Sequence, residues 1–454
     1  MLTQTAYGDS RFSFWPRVRE FAVPPSMIEA ATARRRVGDW AGACAAAGFD
    51  VDLNLRVVAR THGRELAGLV RADLRHLAPD LLRWHMPRIA PDGLLRPGLT
   101  IALARYGTSE HRRPVHLVVR TVPAWADAGQ RISLTLWDGS DSGAARHPHP
   151  RPNARFRLDL HRHLWDTRRA NELRVRSGAS PGSDPPQLES PARELLALVE
   201  EVQRCAVDRW TAEAQILLAA EGRSGAVAVR LGARHRLTLE TDGGAARVRV
   251  ASYKERGPAL PVLPDAATWE PPDLELLRTG AIDPDRLHPL VASALVPGHA
   301  STPPTPPEPG HTRLVDCRGA RHRIGLIDGV LVPLDHDPDE IRREELLVAL
   351  TGTPLPCLQV IDQAHRRPDC LDGIRERLAH GDTTGALAVV EDLLGPEAVL
   401  RTGPLRDALE TAARQRVTYG LYRAGLAGRA PDRLPPKSTN VHNRRSRTRH
   451  AACR

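Results

Sequence analysis

The run Pro303-Pro304-Thr305-Pro306-Pro307-Glu308-Pro309 restricts this chain more than any other feature. Five prolines in seven residues remove five backbone donors and pin φ, so neither a helix nor a sheet ladder passes through. Ser301–Gly310 is therefore expected to be an extended, semi-rigid spacer, with docking to a proline-binding module as the lesser alternative. Pro/Gly/Ser-rich stretches at Gly139–Asn153, Ser177–Pro191 and Gly257–Pro272 divide the preceding residues again. A chain of 454 residues cut this way is a multidomain protein, long enough to bury cores without disulfide staples.

The expected fold class is α+β: helical N-terminal and C-terminal parts, several short antiparallel β-meanders, and a basic disordered C-terminal tail. The expected organisation is a helical region at 1–95, a β-rich region at 96–180, and a long helix plus meander at 188–300. The linker at 301–310, a meander plus helical domain at 311–430, and the tail at 431–454 follow. In the first region Ser26 caps a helix through Arg36, and Leu55–Leu77 reads as one longer helix. Alternation predicts strands at Leu99–Arg105, Val115–Val122, Arg131–Trp137 and Arg155–Leu160. Ser190, Pro191 and Gly222 bracket a single helix carrying Leu195, Val199, Val202, Ala206, Trp210, Ala214 and Leu217 on one face. Strands follow at Ala226–Leu231, His235–Glu240 and Arg247–Ala251, the last two joined at Asp242-Gly243-Gly244. Beyond the spacer a meander runs through Thr312–Cys317, His322–Ile327 and Gly329–Leu334, turning at Asp328-Gly329. Pro338 to about Leu426 is helical, its last helix carrying Leu405, Leu409, Ala413, Val417, Leu421 and Ala424 as a stripe.

Gly38-Asp39-Trp40-Ala41-Gly42-Ala43 and Gly381-Asp382-Thr383-Thr384-Gly385-Ala386 share the pattern G-D-x-x-G-A. The pattern suits a helix–helix junction, with a left-handed glycine ending one helix and the aspartate capping the next. The following Gly-Ala would leave room for two backbones to approach. The separation is too wide for a solenoid period, so two helical hairpins are expected.

The formal charge is +10, but Arg433, Lys437, Arg444, Arg445, Arg447, Arg449 and Arg454 hold seven of those charges and no acid follows Asp432. The rest of the chain is close to neutral, so the basic character belongs to the tail. Lys254 and Lys437 are the only lysines, which nearly excludes P-loop and Schiff-base chemistry. Arg444, Arg445, Arg447 and Arg449 are the candidate contacts to phosphate or another acidic partner, with an affinity that falls with salt. No aromatic residue follows Tyr422, so the tail offers no base stacking. The polar start of the chain and the scattered cysteines point to a cytoplasmic protein with reduced thiols, and no membrane span is expected.

Candidate chemistry is sparse. Asp159, His161 and His163 share a face if 155–163 is a strand and form the foremost candidate metal set, opposed by Arg155 and Arg157. Asp335-His336-Asp337-Pro338-Asp339-Glu340 reads as a helix start, with Asp337 as N-cap and Glu340 closing a capping box. Cys357, His365 and Cys370 lack the close ligand pairs of a zinc site. Gly8-Asp9-Ser10 and Asp362-Gln363-Ala364-His365 are similar to blocks of GDS-type esterases, but the apolar strand and G-x-N-D block of that family are missing. No catalytic residue, cofactor or metal is assigned.

Val315-Asp316-Cys317-Arg318-Gly319 through Gly420-Leu421-Tyr422-Arg423-Ala424-Gly425, with Asp73-Leu74-Arg75-His76-Leu77-Ala78-Pro79-Asp80-Leu81-Leu82-Arg83-Trp84-His85, resembles an uncharacterised actinobacterial protein family. The resemblance implies a bacterial cytoplasmic setting and carries no assigned activity. The functional expectation is a non-enzymatic adaptor or regulatory protein that binds a protein partner through helical surfaces, its arginine tail touching something acidic. Two alternatives stand beside it: a nucleic-acid-binding protein using the tail, and a metal-dependent enzyme using Asp159, His161 and His163.

Overall fold

The computed structural model describes residues 14–426, apart from 108–113, 127–129, 140–146, 180–184, 201–202, 233–234, 242–244, 252–258, 300–312 and 353. The proline spacer, the Asp242-Gly243-Gly244 connection, Gly8-Asp9-Ser10 and the arginine tail lie outside these residues. The architecture is mixed α+β with several short, mostly antiparallel sheets, as the sequence leads one to expect. No helix among the described residues is long and apolar enough to cross a membrane.

The largest core joins the N-terminal helices to a four-stranded sheet ordered Phe49–Val51, Ile132–Trp137, Val115–Thr121, Thr100–Tyr106. Period-two alternation placed the last three strands to within a residue or two, because Ile101, Leu103, Leu117, Val119, Ile132 and Leu134 all reach full burial. The N-terminal helices cover the sheet with Val70, Leu74, Leu81 and Trp84. Residues from Leu274 to Leu295 return to this same core after the chain has built a second one.

That second core lies in the intervening stretch. It packs Trp210, Leu217, Val227, Val229, Leu237, Leu239 and Val248 between a helical pair and a small sheet. The single helix expected from Ser190 to Gly222 is instead two, Ser190–Glu200 and Val207–Glu221. The break forms because residues 204–206 pair with the backbone around Thr268. Ala206 donates to Thr268 O at 3.0 Å, Glu270 to Arg204 O at 3.1 Å, and the Trp210 indole to Thr268 O at 3.1 Å. Tertiary pairing outweighs the helical periodicity there. Leu55–Leu77 likewise splits into Leu55–His62 and Arg64–His76 at Gly63, which sits at φ 95°.

The third unit starts with the meander Arg313–Cys317, Ala320–Ile327, Val330–Pro333, followed by five helices. Both hairpins turn on two residues at positive φ, Arg318-Gly319 and Asp328-Gly329, the primed turn that matches strand twist. Its cores are small: one around Ile374, Leu378, Val390 and Leu394, another around Cys317, Ile324, Cys357 and Ile361. The stripe on the last helix, Pro404–Ala424, divides in two. Leu405 is fully buried, whereas Val417 and Leu421 are exposed.

Both G-D-x-x-G-A junctions form in the same way. Asp39 accepts from Gly42 N at 2.8 Å and Asp382 from Gly385 N at 2.9 Å. An arginine five residues upstream, Arg34 or Arg377, closes on the same carboxylate at 3.1 and 2.8 Å. The second glycine has a reason other than backbone approach: a Cβ at Gly42 or Gly385 would collide with the capping carboxylate.

Candidate metal centre

Alternation along the first hairpin of the third unit puts Cys317, His322 and Ile324 on one face, because Cys317 pairs with Ala320 and Val315 with His322. The Arg318-Gly319 turn brings Cys317 and His322 close across only four intervening residues. The chain leaves the meander at Pro333 and presents His336 just before the helix Pro338–Thr351. Cys357 follows in the first turn of the next helix, Pro356–Arg366.

These four side chains converge. One ligand atom each from Cys317, His322, His336 and Cys357 lies within 4.8 Å of all the others. A tetrahedral zinc with two sulfurs and two nitrogens needs edges of roughly 3.3–3.8 Å. His322 Nδ1 and His336 Nε2 stand 2.6 Å apart, a hydrogen-bond distance, and would part by about 0.7 Å to share an ion, while both cysteines are fully buried. Burial pushes the Cys357 thiol up to about 11, helped by the adjoining Cys317, so a bound cation would have to displace its proton.

The surrounding groups orient the ligands. Glu340 accepts from His336 Nδ1 at 3.3 Å, which fixes the tautomer and leaves Nε2 facing the cluster. Arg318, from the hairpin turn, donates to Glu340 at 3.1 Å and also pairs with Glu344. Asp335 accepts from Arg323 N at 2.7 Å and from its guanidinium at 2.7 Å, which anchors the loop holding His336. The carboxylate Asp335 is held down at about 2 by those hydrogen bonds. Asp337 does cap its helix, accepting from Asp339 N at 2.8 Å. Glu340, however, serves His336 and Arg318 rather than closing a capping box.

His365 and Cys370 are not part of this cluster; Cys370 packs at the edge of the neighbouring core instead. The signal for the cluster was Cys317-x4-His322 across a two-residue turn, joined to His336-x3-Glu340. Each half was hidden in a segment that had another explanation, a strand in one case and a helix cap in the other.

Asp159, His161 and His163 do not form a ligand set among the described residues. Residues 155–160 are successive turns rather than a strand: Phe156 N, Leu160 N and His161 N each donate to the carbonyl three residues back. Phe156 and Leu158 still point into the large core, which is why the alternation looked like a strand. Asp159 is taken by Arg157 at 2.8 Å, and His161 Nε2 lies 3.2 Å from Glu213. Burial pushes the Glu213 carboxyl up, but His161 and Arg176 outweigh it and hold it at about 2. The exposed group Asp283, Asp285 and His299 is explained by its own hydrogen bonds, with Asp283 capping at Asp285 N and His299 on Asp285. In the esterase-like pair, Asp362 is committed to Arg366 and Arg401 at 2.8 and 2.7 Å. Arg444, Arg445, Arg447 and Arg449 lie outside the described residues.

Comparison with protein-family models, with curated proteins and with solved structures finds no match to this chain. The functional reading therefore rests on the geometry alone.

Proposed function

We propose that this is a non-catalytic binding protein whose C-terminal unit folds around a structural zinc ion and presents an apolar surface to a protein partner. The observation that carries the reading is the closed Cys317–His322–His336–Cys357 set. Four protein ligands fill a tetrahedral shell and leave no position for substrate, which is the arrangement of structural rather than catalytic zinc.

The surface of the same unit supports the partner. Among the described residues, eleven of the twenty exposed large apolar side chains fall between Leu314 and Leu426, in a minority of the chain. They include Leu346 and Leu347 on the helix after the metal loop, and Val417 and Leu421 on the last helix. Contiguous exposed apolar side chains mark interaction surfaces, and Val417 and Leu421, one turn apart on the last helix, are neighbours on its exposed face. The arginines of the tail, Arg444 to Arg449, would add contact with acidic groups of that partner.

Elemental analysis of full-length protein purified without chelator tests the first half; about one zinc per chain is expected. Protein that carries no transition metal and takes up none on titration overturns it. The second half is tested by cross-linking mass spectrometry in native lysate, comparing the natural chain with a Val417→Asp/Leu421→Asp variant. Cross-links to one partner from the last helix, lost in the variant, are expected. A chain that stays uncross-linked and alone overturns the partner reading.

A further inference from the structure

A cleft of about 670 Å³ opens between the large core and the inserted second unit. That volume falls within the range of small-molecule sites, and junctions between domains are where such sites concentrate. Five large rings line it, Phe14, Trp15, Trp84, Phe156 and Trp269. Trp84 is buried beneath the Arg19 guanidinium, and Trp15 and Trp269 are the two of these rings that keep exposed surface.

Its charge is unbalanced. Three lining arginines are matched by carboxylates: Arg19 with Asp273 at 2.7 Å, Arg155 with Asp265 at 2.7 Å, and Arg176 with Glu213 at 2.6 Å. Four others, Arg88, Arg96, Arg204 and Arg230, also line the cleft, and no carboxylate among the described residues forms an ion pair with them. The other lining acids, Glu270 and Glu275, both face Arg278, Glu275 at 3.8 Å, and leave seven lining arginines against three lining carboxylates. Glu275 Oε2 is itself buried without a hydrogen-bond donor among the described residues. The Nε groups of Arg88 and Arg230 are buried without a hydrogen-bond acceptor among the described residues. Nδ1 of His163, a residue only 3% exposed, and Nε2 of His85 are in the same position. Buried polar atoms are rarely left unsatisfied, and several converging on one cavity call for a polar occupant. Burial lowers the Arg88 guanidinium, and Arg83 and Arg19 lower it further; burial, then Arg155 and Arg236, do the same to Arg230, with Asp265 drawing it partly back. An anion would relieve that mutual repulsion.

From the paired observations of unmatched guanidinium groups and aromatic walls, we infer that the cleft binds a phosphorylated small molecule bearing a flat ring, the mononucleotide class. Guanidinium forks match phosphate oxygens, and both aromatic faces and guanidinium planes accept a ring by stacking. The site is independent of the metal cluster, so either reading stands without the other.

Isothermal titration calorimetry on the full chain at pH 7.5 tests it, with inorganic phosphate, adenosine, and the four ribonucleoside monophosphates as separate titrants. At least one monophosphate is expected to bind tenfold or more tightly than phosphate and than adenosine, and to weaken as salt rises. The exposed-mouth variant Arg96→Ala/Arg204→Ala should weaken that binding at least tenfold without changing the thermal melt. Arg230→Ala should weaken it similarly, and Arg223→Ala, outside the cleft, should leave it unchanged. Absence of binding by every monophosphate overturns the inference. So does binding no tighter than phosphate alone, and so does binding that survives both cleft variants.

Discussion

The large N-terminal core and the C-terminal unit solve the same problem by different means. The first buries Trp84, Trp165, Phe49 and a broad set of aliphatic side chains around one sheet. The second divides its apolar residues between two small clusters and leaves much apolar surface exposed. Small cores supply little stability by themselves, and a metal centre is one of the few devices that replaces the missing burial. The contrast teaches that the four-ligand cluster sits where the hydrophobic effect is weakest. The meander and the two helices it joins meet around it.

The most drastic way to break that contrast is to remove the ligands. Cys317→Ser/Cys357→Ser should abolish metal binding and strip hydrogen-exchange protection from residues 313–366, while the sheet containing Val115–Thr121 stays protected. Uniform loss of protection, or none, would show that the two regions do not differ in this way. Free energies of about 10 kcal/mol or more for structural zinc make this the largest effect expected.

Within the large core, the sharpest test is the buried pair Arg19–Asp273, whose carboxylate also accepts from the Trp84 indole at 3.2 Å. Asp273→Ala strands a guanidinium that is only 4% exposed, and should cost about 3–5 kcal/mol in urea unfolding. Zinc content should not change. A loss below about 1 kcal/mol would mean that Arg19 finds another acceptor.

An acid titration tests the contact between the regions. His380 is buried, and burial, then Arg88, Arg83 and Arg17, lower it to about 3. Above pH 6.5 it is neutral in folded and unfolded chains alike and contributes no pH dependence. As pH falls from there toward 3 the unfolded chain binds a proton that the folded one refuses, so stability is lost. The slope is at most about 1.4 kcal/mol per pH unit for this group. His380→Leu should flatten the fall in thermal stability between pH 6 and 4, and an unchanged slope would assign that fall to other groups. Zinc content followed over the same range distinguishes release of the ion from titration of His380.

The smallest expected effects come from the twin junctions. Asp382→Ala should cost about 1 kcal/mol as a lost helix cap. Asp39→Ala should act in the same direction and less strongly, since Asp39 is more exposed. Chemical denaturation of both variants checks the order.

Strands and turns were legible in the sequence because period-two burial is local. Ala226–Leu231 and His235–Glu240 appear with the ends expected, and Asp328-Gly329 turns where it should. Helix continuity was not legible at Gln203–Ala206, because the competing partner is the backbone near Thr268, more than sixty residues away. Residues 155–160 misled for the opposite reason: alternating burial survives in a chain of turns when a core lies on one side only. The metal cluster was half legible. Cys317 and His322 are near in sequence, but Cys357 joins them only after a loop and a helix have been traversed. The arginine-lined cleft was not legible at all, since its residues come from seven or more separate segments.

Arg83 carries a consequence for how the regions communicate. Its buried guanidinium donates to Ala22 O at 3.0 Å, Gln130 O at 2.7 Å and His380 O at 2.8 Å, the last of these from the C-terminal unit. When that unit opens, a buried cation loses one of its three acceptors, so the opening is felt at once beside Trp84. Trp84 emission should thus shift when the helix end at His380 leaves Arg83, and stay unchanged by an opening confined to residues 313–366.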